Sequence, residues 1–243
     1  MKIVGYSERG AMNALFYGMA FNKDERKGEK DMQSFLELAK VPNYNHYHQF
    51  EIYTEFSLSQ FGSPDLIIFA EKGDVKTVFF IEAKVSACKH FKMESIQTEY
   101  EKGQKEKPNT SNLFYQLEQK KGLFDNKDKF HSEETTINTN RGSKSIGNNP
   151  VVRNLVEELK KCDNAEYIAI VPSEGEEKMK EPKNEGLKKT IEDLNLKIVY
   201  WEDLYQKFGN ELKYESLIET FLFNQGKDPK SIKTKSQILN KPI

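Results

Sequence analysis

Three residues in this chain have the types and spacing to do hydrolytic chemistry together: Asp65, Glu82 and Lys84. Pro64-Asp65 opens one apolar run, residues 65–71 (DLIIFAE), and Glu82-Ala83-Lys84 closes the next, residues 76–84 (KTVFFIEAK). Glu71-Lys72-Gly73-Asp74 is a turn cluster, so the two runs read as strands of one hairpin. A hairpin returns the end of its second strand to the start of its first, which turns the seventeen positions from Asp65 to Glu82 into side-by-side neighbours. Alternation then puts Glu82 and Lys84 on one face and Ala83 on the other. Paired carboxylates bind hard divalent cations such as Mg²⁺ through oxygen, and such a cation polarises a phosphate ester and acidifies bound water. An ammonium beside them can orient the attacking water or stabilise charge developing on the phosphate, so the constellation suits phosphodiester hydrolysis.

Acid-any-lysine triplets are common in a chain with 31% charged residues: Glu25, Asp74, Glu118, Asp125, Glu158, Glu176, Glu181, Glu211 and Asp228 also begin one. Glu82 stands apart because its triplet ends a strand of Val78, Phe79, Phe80 and Ile81, where an uncompensated charge is costly. None of the other nine follows such a strand one hairpin after a Pro-Asp pair.

In these motifs, and in the order of elements from about Tyr6 to Gln119, the chain resembles the PD-(D/E)xK nuclease superfamily, also called restriction-endonuclease-like. A weaker likeness continues to Phe208, where VYWEDL looks like a strand-to-helix step. The resemblance implies that Asp65 and Glu82 bind metal, that Lys84 is catalytic, and that the cofactor is Mg²⁺ with Mn²⁺ as a substitute. It also implies a glutamate on the first helix that completes the metal site. Glu8 matches it, in line with the apolar stripe of Ala11, Leu15 and Met19, while Glu51 and Glu55 compete from the strand before Pro64. A glutamine on the helix after the third strand is implied as well; Gln116 in NLFYQLEQKK matches it, with Gln119 as competitor. The site so expected has Asp65, Glu82, Lys84 and Gln116 as catalytic residues and Glu8, Asp65, Glu82 and Ala83 at the metal.

Around this site the hydrophobic period predicts a helix over residues 7–21, with Ser7 as N-cap, and another over 31–41 that stops before Pro42. Residues 49–58 alternate Phe50, Ile52, Thr54, Phe56 and Leu58 against polar positions, which predicts a strand that joins the hairpin in a three-strand antiparallel meander. A loop is expected over 102–112 and a helix over 112–122, with Gly122 as its stop. Residues 125–150 are almost devoid of apolar side chains and read as a mobile insertion. Beyond it come helices over 151–161, 185–194, 202–208 and 212–223, strands over 167–171 and 197–201, and a polar, lysine-rich tail over 224–243. The sum is an α/β fold: one domain over 1–223 with a central mixed sheet flanked by helices.

A formal net charge of −1 gives no protein-wide basic field, so a nucleic-acid partner must be held by local lysines. Lys89, Lys92, Lys102, Lys105, Lys107, Lys120 and Lys121 follow the proposed site, interleaved with glutamates. No run approaches the ~18 apolar residues of a membrane helix and residues 1–6 lack a signal peptide's pattern, so a cytoplasmic protein without a membrane partner is expected. Cys88 and Cys162 lie far apart outside any metal-binding pattern and read as inert thiols; His46 and His48 lack a third ligand. The expected function is metal-dependent cleavage of DNA, and a homodimer would supply the two sites a duplex cutter needs. The alternatives are a non-catalytic nucleic-acid- or protein-binding module of the same fold, and an RNA-directed nuclease.

Overall fold

The computed structural model describes residues 7–21, 24–84, 98, 100, 112–132, 135–139, 142–172 and 185–209. In chain order these form helices α1 (Ser7–Ala20) and α2 (Glu25–Leu38), then strands β1 (His48–Thr54), β2 (Leu66–Lys72) and β3 (Val75–Ala83). Helix α3 (Leu113–Asp125), the hairpin β4 (Thr136–Thr139) and β5 (Gly142–Ser145), and helix α4 (Pro150–Lys160) follow. Strand β6 (Asn164–Val171), helix α5 (Glu185–Asp193), strand β7 (Lys197–Tyr200) and helix α6 (Trp201–Phe208) complete the order.

Strands β2 and β3 are apolar at successive positions, and successive side chains point to opposite faces, so their hairpin has no solvent side. The chain covers both faces. Leu66, Ile68, Phe79, Ile81 and Ala83 pack with residues of α1, α2 and α6, whereas Ile67, Phe69, Val78 and Phe80 pack with residues of α3, α4 and α5. The result is an α/β fold around a mixed five-stranded sheet of order β1-β2-β3-β6-β7. The first three strands are an antiparallel meander, as expected, and β6 and β7 add in parallel. Among the described residues no helix is long and apolar enough to cross a membrane.

Several elements depart from the sequence expectation, each for a local reason. Strand β1 ends at Thr54 instead of running to Leu58, because Glu55 takes a left-handed φ of 56° and turns the chain. Phe50 and Ile52 pack toward α1 and α2, but Phe56 and Leu58 cross to the α3 side, so the apparent five-residue alternation spans two faces. Helix α2 begins six residues before the expected start, where the Asp24 carboxylate accepts the Arg26 N–H as an N-cap. Helix α3 passes through Gly122 and stops at Asn126, whose Nδ2 donates to the Gly122 carbonyl. Gly122 faces β4 instead: a Cβ there would stand 3.6 Å from Thr139 Cγ2. Within residues 125–150 lies the β4–β5 hairpin, and Phe130, Ile137 and Ile146 bury against the α3 side of the sheet. Trp201 begins α6 instead of ending β7. Residues 102–111 of the expected loop, the helix over 212–223 and the tail lie outside the described residues.

Helix α3 is anchored at its start. Buried Asn112 accepts the N–H groups of Phe114 and Tyr115 at 3.1 and 3.2 Å, satisfying two of the four donors a helix leaves open. Asn112→Ala is expected to cost about 1–2 kcal/mol, read as a lowered urea midpoint at unchanged slope. An unaltered midpoint would show that tertiary packing alone fixes this end.

Candidate active site

The β2–β3 register pairs Leu66 with Ile81, so one step further along it Asp65 stands opposite Glu82. The Ala83 N–H donates to Asp65 Oδ2 at 2.8 Å, which ties the aspartate to the end of β3 beyond the last ladder pair. Lys84 follows and is held through its backbone on both sides. Its N–H donates to the Ile170 carbonyl at 2.8 Å, and its carbonyl accepts the Trp201 indole N–H at 2.9 Å. Asp65 at the head of β2, strand β6 and helix α6 thus all bond to two consecutive residues at the end of β3, Ala83 and Lys84.

Alternation sends Glu82 toward α3, where its side chain meets Lys120. The Lys120 ammonium lies 3.1 Å from Glu82 Oε1, with the two side chains 0% and 1% exposed. They are close enough to pair as charges, yet their angles fall outside hydrogen-bond geometry, and neither atom has another hydrogen-bond partner. Burial lifts the Glu82 carboxyl to about 7; Lys120 opposes the rise, Asp65 adds to it, and Lys84 opposes it. Burial likewise holds the Lys120 ammonium below its ordinary range, against the pull of Glu82 and Asp65. Room for the ammonium comes from Gly62, whose φ of +82° suits a residue without Cβ and where an added Cβ would stand 3.1 Å from Lys120 Nζ.

Asp65, Glu82 and Lys84 therefore sit at one strand end, whereas the other expected residues are distributed differently. Ala83 turns its methyl group to the α1 side, where it is fully buried, so only its carbonyl could serve a metal. Gln116 lies one turn before Lys120 on α3, half-buried, with an Oε1 that is enclosed and has no hydrogen-bond partner. Its competitor Gln119 is engaged elsewhere, accepting from Lys144 of β5 at 3.0 Å. Glu51 is exposed on β1 and accepts from the Tyr53 hydroxyl at 3.5 Å, and Glu55 is exposed at the turn that ends β1. Glu8 belongs to α1, whose buried stripe packs on the face opposite Glu82; its side chain lies outside the described residues. Cys162 is buried, and burial raises its thiol to about 11, which keeps it protonated; Cys88 lies outside the described residues.

Lys120 closes Glu118-Gln119-Lys120, one of the nine triplets set aside in the sequence, yet among the described residues its ammonium is paired directly with Glu82. Its spacing of four from Gln116 places both on one helix face, but that spacing does not point to Glu82. Among the described residues no group of three or more His, Cys, Asp or Glu side chains is gathered for a metal. The two opposed carboxylates, Asp65 and Glu82, are the hard oxygen donors that could hold a divalent cation of the Mg²⁺ class, and the Glu82 oxygen available for it faces the Lys120 ammonium.

Between about pH 4.5 and 7 the folded chain keeps a proton on Glu82 that the unfolded chain has released. This group's contribution to stability is full below that window and is lost as pH rises through about 7. In metal-free protein, Glu82→Gln is expected to gain on wild type by ~1–3 kcal/mol as the pH rises across the window, at about 1.4 kcal/mol per unit of pKa displacement. Paired urea titrations measure this; a constant difference would place the Glu82 pKa near that of a solvated glutamate.

Compared with known protein families, with characterised proteins and with solved structures, the chain finds no match.

Proposed function

We propose that this chain is a divalent-metal-dependent nuclease of the PD-(D/E)xK type, with a restriction-endonuclease-like fold, that hydrolyses phosphodiester bonds in DNA. The observation that carries the reading is the β2–β3 register, which sets Asp65 opposite Glu82 with Lys84 two residues further along. Asp65 and Glu82, with the Ala83 carbonyl, would hold Mg²⁺ or Mn²⁺, and Glu8 is the further ligand that the resemblance suggests. The bound cation would polarise the phosphate and raise the acidity of water at the site. Lys84, fixed through its backbone by β6 and α6, would hold a positive charge where the phosphate becomes more negative. Gln116 would offer its amide to water or phosphate from the α3 side. A homodimer would give the paired sites that double-strand cleavage needs.

A second reading is a non-catalytic binding module of the same fold. The Lys120 contact favours it, because a carboxylate already neutralised by an ammonium has a weaker need for a metal. Cleavage separates the two. With Mg²⁺ or Mn²⁺, wild type is expected to cut supercoiled, linear or single-stranded DNA, and Lys84→Ala and Asp65→Asn to lose about 10²–10³-fold in rate. Preference for RNA would move the substrate class. No cutting by wild type, or equal cutting by Lys84→Ala, would end the enzymatic reading.

A further inference from the structure

We infer that the Lys120 ammonium is a built-in stand-in for the divalent cation: it holds Glu82 while the site is metal-free and must leave Glu82 when metal binds. The inference rests on the metal site proposed above, but it concerns occupancy and not cleavage.

Three observations carry it. First, the ammonium lies against Glu82 Oε1, the same carboxylate a cation shared with Asp65 would need, and both are sealed from water. Two cations at one buried carboxylate repel strongly, since little solvent screens them. Second, the contact is a charge contact without hydrogen-bond alignment, so the lysine is seated beside the carboxylate and not locked to it. Gly62, without a Cβ, leaves the ammonium room on its other side. Third, Gln116 stands one helical turn before Lys120 on the same face of α3, and its Oε1 is a buried acceptor with no hydrogen-bond partner. A rotation of the long, flexible lysine stem exchanges a carboxylate for an amide oxygen without moving α3. An ammonium without an aligned acceptor and an amide oxygen without a donor, on adjacent turns, are the two ends of that movement.

A lysine serving only to stabilise the fold would, when removed, leave metal affinity unchanged or weaken it by disturbing Glu82. A competing lysine does the opposite. Calorimetric titration of the full chain with Mn²⁺ and Mg²⁺, at about pH 8.5 so that Glu82 is ionised, is expected to show binding about tenfold tighter in Lys120→Met than in wild type. Lys120→Arg, which keeps the charge, is expected to stay near wild type or weaker, and Gln116→Leu, which removes the second acceptor, to bind a few-fold more weakly. Should Lys120→Met not fold, Lys120→Gln carries the same expectation. Unchanged or weaker binding in the folded neutral variants, or no binding in any variant, overturns the inference. Tighter binding in Lys120→Met together with a wild type that cuts no nucleic acid would keep the competition and remove the nuclease reading.

Discussion

A hairpin that is apolar on both faces dictates most of this molecule. Because β2 and β3 cannot face water on either side, helices must lie over both, and the sheet becomes the middle of three layers. The polar residues at the hairpin's open end then become conspicuous. Asp65 precedes the first buried residue of β2, and Glu82 occupies a position that alternation assigns to the core. Nothing in the fold requires a carboxylate there; an apolar residue would continue the Val78, Phe80 stripe at lower cost. That local conflict with an otherwise consistent strand is what singles the position out as a candidate site.

The pair at that position does not argue for stability. Taking both an ammonium and a carboxylate out of water costs several kcal/mol each before their attraction returns any of it, and the geometry here lacks the hydrogen bonds that would complete the compensation. Both pKa directions express this strain, with the acid pushed up and the base pushed down by the same desolvation. Such an arrangement is sustained by its surroundings: the Asp65 link to Ala83, the Gly62 turn, and a helix fixed at its start by Asn112.

The sequence was most readable where a period and a breaker coincide. Strand alternation and the Gly73-Asp74 turn suffice to place Asp65 opposite Glu82, because a hairpin's register follows from its turn. The meander and the later strand-helix alternation were legible for the same reason. What periodicity could not convey was a change of face within one run: Phe56 and Leu58 continue the alternation of Phe50 and Ile52 on paper, but a left-handed Glu55 sends them to the other side. Nor could it identify Lys120, since a lysine on a mixed helix face carries no local sign that a strand more than thirty residues earlier will place a glutamate against it. Long-range partners of charged residues belong to topology, and spacing along one element is silent about them.

The chain has one tryptophan, and its indole N–H is bonded to the Lys84 carbonyl from beneath the strand end. Fully buried and stacked near Tyr205, it is at once part of the wall that fixes the lysine and the chain's sole indole fluorophore. Its emission therefore originates at the backbone of the candidate site, and any shift of that strand end changes the hydrogen bond that sets its polarity. The molecule carries its own optical gauge where its chemistry is expected to occur.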